Sequence, residues 1–175
     1  MGDKVTRKSC IQNDSPCPAN FGISDNPKAS GEEPLIEISG FSQVNTFSAT
    51  IDKVAAEKKV DARLVKAIMY METTHGYYDA PLDLIGKNKS IRPMNINVDF
   101  WGSTFGTRAD MNDSEKNIRA GTEMIKRIQD NVPGASIEKV ATLYNNINAL
   151  TVSDYGSRVK KIYDDQPWLP KDGGH

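Results

Sequence analysis

The sequence is poor in the residues that most enzymes use to attack substrate, relay protons or hold metal. It has two histidines, His75 and His175, and two cysteines, Cys10 and Cys17. One histidine sits at the C-terminal end and both thiols sit near the start, so a serine or cysteine nucleophile relayed through histidine is disfavoured. No spacing reads as a zinc site, and neither metal nor cofactor is expected. No apolar run approaches the roughly 20 residues that span a bilayer, so no membrane span is expected. The formal net charge is -1, from 22 Lys and Arg against 23 Asp and Glu. That balance leaves no bulk basic field to attract nucleic acid or anionic lipid. A secretory signal pattern is missing too, because Met1 to Arg7 lead into polar sequence and not into an apolar core segment. The expectation is that the chain lacks its signal or leaves the cell by a route needing none. Cys10 and Cys17 are close enough for a small-loop disulfide in an oxidising compartment. The alternative is two ordinary thiols in a loose leader.

What is present suits one soluble globular domain with a substantial core: 175 residues, 38% hydrophobic and 26% charged. Residues 1 to about 43 are rich in Ser, Pro, Asn, Asp and Gly, with one short apolar stretch at Leu35, Ile36 and Ile38. They read as an extended polar arm, whose trimming is expected to leave a folded, active domain. The domain proper runs from residue 44 to 168, and residues 169 to 175 read as a disordered tail. A helix is expected from Asn45 or Thr46 to Lys58 or Lys59, with Ile51, Val54 and Ala55 inward. Asp61 is placed to cap a second helix, ending near Glu72. Residues 76 to 112 are turn-rich and too long for a plain connection, which points to function; a short hairpin is expected around Ile96 to Phe100. Three more helices complete the chain. The first carries Ile118, Met124, Ile125 and Ile128; the second is capped by Ser136; the last begins near Val152 with Tyr155, Val159 and Ile162 on one face and Pro167 at its end.

Within this frame Glu72 stands out. Leu64, Val65, Ile68 and Met71 form an apolar stripe, and Glu72 continues that stripe instead of the solvent face. A carboxyl held against apolar neighbours resists ionisation, and a raised pKa suits a general acid near neutral pH. The alternative is that the helix frays and the side chain reaches water.

The residues downstream of this glutamate add a pattern: Glu72-Thr73, then Met94 to Asn97, then Asn117-Ile118 with Gly121, then Tyr144-Asn145, closing with Tyr155, Val159 and Tyr163. This order resembles the soluble lytic transglycosylases and goose-type lysozymes, over about Thr46 to Tyr163. That family has a Glu-Ser helix end, a Gly-Leu-Met-Gln-Ile-Asn-like turn, an Asn-Ile-x-x-Gly helix start and a Tyr-Asn pair. The chain departs from it at Thr73 for Ser, Arg92-Pro93 for Gly-Leu, Asn95 for Gln and Asn146 for Gly.

The resemblance implies a mainly α, lysozyme-like domain with a loop-lined substrate groove. It implies Glu72 as acid/base and Tyr144 as a phenol near the acid or the sugar, although a tyrosine on an apolar stripe is more often core. Thr73 would cap its helix or bond a sugar N-acetyl group, and Met94 would wall the groove. Asn95, Asn97 and Asn145 would hydrogen-bond substrate or serve their own backbone, and Tyr78 would stack on a sugar face or seal the core. Goose-type hydrolases carry an Asp where this chain has Asn97. A second carboxylate would therefore come from Asp79, Asp83 or Asp99, each of which also reads as a solvated turn residue.

The function so implied is a peptidoglycan lytic transglycosylase that cleaves the MurNAc–GlcNAc β-1,4 bond with one glutamate. The alternatives are a goose-type muramidase and a non-catalytic glycan-binding module. Action outside the cytoplasm, secreted or periplasmic, favours a Cys10–Cys17 pair. It also raises the expectation of an exported antibacterial effector, a monomer whose partners are glycan strands and a cognate immunity protein that inhibits it.

Overall fold

Apolar periodicity becomes helix over most of the described residues. The computed structural model describes residues 4–32, 43–74 and 93–170. Tyr78, Asp79, Asp83, Arg92, the Leu35–Ile38 stretch and residues 171–175 lie outside them. Among the described residues there are seven α-helices and no strand. These are α1 (Arg7–Gln12), α2 (Ser48–Lys58), α3 (Ala62–Thr74), α4 (Val98–Trp101), α5 (Ser114–Asn131), α6 (Ile137–Asn145) and α7 (Asp154–Asp165). None is long and apolar enough to cross a membrane.

The helix ends have local causes. Lys59 takes the left-handed conformation after α2, at φ 58°, while Asp61 accepts from the backbone N–H of Arg63 at 2.9 Å as α3 begins. Asp113 caps α5 by accepting from the N–H of Lys116 at 2.9 Å, and Ser153 caps α7 by accepting from the N–H of Gly156. These side chains satisfy donors that the first turn leaves without an intrahelical partner. Ser136 holds the expected position before α6, but its side chain makes no capping bond and its hydroxyl is buried without a partner. The hairpin expected around Ile96 to Phe100 is the helix α4 instead. Asn97 accepts from the N–H of Phe100 at 3.0 Å, so a capping side chain starts a helical turn where the alternation suggested strand.

α3 lies inside the bundle, packed against α2, α5 and α7, while α6 packs on both α5 and α7. Ile51, Leu64, Ile68, Met69, Ile118, Ile125, Leu143 and Ile162 are fully buried there. Gly156 makes the α6–α7 approach possible, because a Cβ there would meet the Thr142 hydroxyl at 1.9 Å and the Glu138 carbonyl at 2.4 Å.

The first segment differs from the extended arm read from its composition. Over residues 4–32 it is packed. Thr6 and Ser9 form a reciprocal capping box for α1, Cys10 and Ile11 are fully buried, and α1 lies on α5. Cys10 and Cys17 form a disulfide with Cα atoms 5.4 Å apart. Ser24 pairs in parallel with Thr151 beside α7. Polar contacts, which composition cannot count, hold this segment down.

Candidate active site

Glu72 stands in the last turn of α3, half-buried, with a neutral donor on each oxygen. The Tyr155 hydroxyl donates to Oε1 at 2.7 Å and the Asn95 amide to Oε2 at 3.2 Å. Burial pushes the carboxyl above the ordinary glutamate value, and the two hydrogen bonds pull in the opposite direction. No cation neutralises it among the residues that set this shift.

Each donor is placed by its own piece of scaffold. Tyr155 is carried by the first turn of α7, whose seat on α6 depends on Gly156. Asn95 reaches Glu72 from a left-handed backbone, φ 50°, which asparagine tolerates better than most residues. The turn before it is pinned from two sides. The Met94 N–H donates to Asn117 Oδ1 at 2.8 Å, and the Tyr144 hydroxyl donates to the Met94 carbonyl at 2.5 Å. Asn117 is fully buried and also donates to the Met111 carbonyl at 3.2 Å. Gly121 leaves room for this turn on α5, since a Cβ there would lie 2.6 Å from that of Met94.

The carboxyl opens on a cavity of about 350 Å³, within the usual range for ligand sites. Its described lining includes Asn95, Asn97, Phe100, Trp101, Tyr144, Asn145, Asn146 and Ile147. Aromatic and amide groups therefore surround one carboxylate. Among the described residues no cluster of three or more histidine, cysteine, aspartate or glutamate side chains could hold a metal ion.

The expected site residues divide. Glu72, Asn95, Asn97, Tyr144 and Asn145 all line the cavity. Asn145 is exposed there, while the Asn97 side-chain oxygen is already engaged as the α4 cap. Thr73 is fully buried, and its hydroxyl donates to the Met69 carbonyl at 2.8 Å, one turn back. It bonds its own helix and is not part of the described lining. Met94 is fully buried against Gly121 and is not part of the described lining; its contribution is the carbonyl that Tyr144 holds. Asp99 points to solvent, pairs with Arg108 and does not line the cavity. Glu72 is the only carboxylate in the lining among the described residues.

Tyr155 is the site residue that sequence reasoning placed elsewhere. It was legible as the inward face of the last helix with Val159 and Ile162, and nothing local reveals that its hydroxyl meets a carboxyl 83 residues away. Burial and the Glu72 charge push both Tyr144 and Tyr155 well above the ordinary phenol value, so both stay protonated as donors. No family model, no curated protein and no solved structure matches the chain.

Proposed function

We propose that the protein is a peptidoglycan lytic transglycosylase whose single acid/base is Glu72. The observation that carries this reading is a half-buried carboxyl, raised by burial and held by two neutral donors, facing a cavity lined by amides and aromatic rings. Half-buried Phe100, backed by the buried Trp101, supplies an apolar face for a sugar ring, and Asn145 and Asn146 supply amides for N-acetyl groups.

The chemistry requires one group that cycles a proton. Glu72 starts neutral and donates its proton to the glycosidic oxygen as the C–O bond to the muramic carbon breaks. The resulting carboxylate, steadied by Tyr155 and Asn95, then takes the proton of the muramic primary hydroxyl. That oxygen closes on the same carbon, and an anhydro-muramic end forms with no water consumed. Inverting hydrolysis instead needs a second carboxylate roughly 6.5–9.5 Å from the first to activate water. An intramolecular nucleophile substitutes for that group through its high effective molarity.

Mass spectrometry of the fragments released from purified peptidoglycan tests the reading. Anhydro ends, lighter than reducing ends by one water and inert to borohydride, are expected to dominate. Reducing muramic ends would make the protein a hydrolase and require a water-activating base. Binding without any product would make it a glycan-binding module.

A further inference from the structure

Helix α1 contributes no residue to the cavity lining, yet it bonds the backbone behind two separate stretches of it. Arg7 is 7% exposed. Its guanidinium donates to the carbonyls of Ile147, at 3.0 Å, and of Ala149, and also to that of Gly22 at 3.4 Å. No carboxylate among the described residues pairs with it, and the face of Phe21 lies 5.9 Å away. Taking a guanidinium out of water is costly. A rigid fork of donors returns that cost as fixed geometry among the carbonyls that it bridges.

The Ile147 and Ala149 carbonyls belong to the connection between α6 and α7, where Ile147 lines the cavity. Further along the same helix, Gln12 donates to the Thr104 hydroxyl at 3.1 Å and to the Trp101 carbonyl at 3.4 Å. Thr104 in turn donates to the Trp101 carbonyl at 2.7 Å. Lys8 sits over the Phe100 ring at 4.8 Å. Phe100 and Trp101 are, with Tyr144, the aromatic part of the described lining. The helix is itself anchored, by Arg127 donating to the carbonyls of Ile11 and Gln12 and by the Cys10–Cys17 bridge.

We propose that Arg7 and Gln12 are positioning residues for the Glu72 cleft: from one helix behind the lining they fix the Ile147 stretch and the Trp101 stretch, and so set the width available to a glycan. The part of this inference that concerns catalysis rests on the cleavage reading above; the part that concerns geometry does not.

The experiment therefore has two arms on the full chain, using Arg7→Gln, Arg7→Lys and Gln12→Ala. In the kinetic arm, soluble glycan strands are the substrate. KM is expected to rise on the order of tenfold, below the ~10²-fold that an ångström of misplacement can cost. The kcat should stay within about twofold and the pH profile set by Glu72 should not move. Arg7→Lys should recover part of the loss, because an ammonium keeps the charge but not the fork. A purely structural role would lower the count of active molecules, and with it the apparent kcat, at unchanged KM; that result overturns the proposal. In the second arm, amide hydrogen exchange should accelerate at residues 147–149 in the Arg7 variants and at residues 101–104 in Gln12→Ala, while α3 and α7 stay protected. Reduction of the disulfide should accelerate both stretches together. A wild-type protein inert on glycan sinks the cleavage reading alone, and the exchange arm still decides the positioning. If Arg7→Gln fails to fold, Gln12→Ala decides it. Unchanged exchange at 101–104 in a folded Gln12→Ala protein refutes the proposal.

Discussion

Residues 4–32 and the bundle of α2, α3, α5, α6 and α7 are both packed, but by different means. The bundle buries apolar side chains at helical spacing, so its cohesion comes from a term proportional to area. The first segment buries few large side chains, Ile11 and Ile23 among them. It is tied down through Arg7, Gln12, Asn26 and Arg127, whose side chains bond distant backbone carbonyls, and through one disulfide. Periodic burial announces itself in a sequence, whereas a polar tether does not. A turn-rich composition is thus compatible with a segment that is integral to the fold.

The bundle carries Glu72, the proposed acid, and the largest expected effect lies there. Glu72→Gln should remove cell-wall cleavage by the 10²–10⁴-fold typical of a lost general acid/base. The same change should make the fold more stable at neutral pH. The folded-state pKa is raised, so above an unfolded-state value of about 4.3 the unfolded chain sheds a proton that the folded one keeps. Stability is lost as pH rises from there through the folded value, and Gln escapes that loss. Thermal unfolding of both proteins at about pH 4 and at neutrality checks this: near-equal stability in acid and an advantage for Gln at neutrality. A mutant no more stable than wild type at neutrality would contradict the raised pKa.

The comparison itself breaks or holds on a pair of truncations. Ile11 in α1 and Ile51 in α2 are both fully buried, and each change to Ala should cost about 2–5 kcal/mol in denaturant unfolding. A loss well under 1 kcal/mol for Ile11→Ala alone would return the segment to a dispensable arm. Replacing both cysteines by Ser should cost about 2–3 kcal/mol on the chain-entropy account of a short loop.

Tyr155→Phe sharpens the bundle side. It removes the hydrogen bond that favours the carboxylate, so the Glu72 pKa should climb further and the alkaline limb of the pH–activity profile should move to higher pH. The fold should lose about 0.5–1.5 kcal/mol. A limb that stays put would detach Tyr155 from the acid.

Asp99→Asn should do least. An exposed ion pair is worth about 0–1 kcal/mol, and activity should be unchanged. A marked fall in rate would bring Asp99 back as the second carboxylate.

Legibility tracked the same division. The stripes Ile51–Val54–Ala55, Leu64–Val65–Ile68 and Ile118–Met124–Ile125–Ile128 mark α2, α3 and α5, and Glu72 could be singled out because it continues one of them. The hairpin expected at Ile96 to Phe100 failed because one Asx cap outweighs a short alternation. Thr73 and Met94 take their expected roles from motif position, but a back-bond to Met69 and a glycine-made niche decide where they face. α1 did leave a local signal, the Thr6-x-x-Ser9 capping pattern, ahead of Cys10 and Ile11. The Arg7 fork and the Tyr155 hydroxyl left none, since their partners lie 140 and 83 residues away.

That separation matters for when the acid becomes armed. The partners of Glu72 sit 23 and 83 residues further along the chain, and long-range closures of this kind are entropically expensive, hence slow to form. Until both loops have closed, its carboxyl is solvated and lacks the burial that raises its pKa in the fold. A nascent, threaded or partly unfolded chain therefore carries the glutamate without its raised pKa. On the cleavage reading proposed above, catalytic competence would be a property of the completed fold, gained in the same closures that finish it.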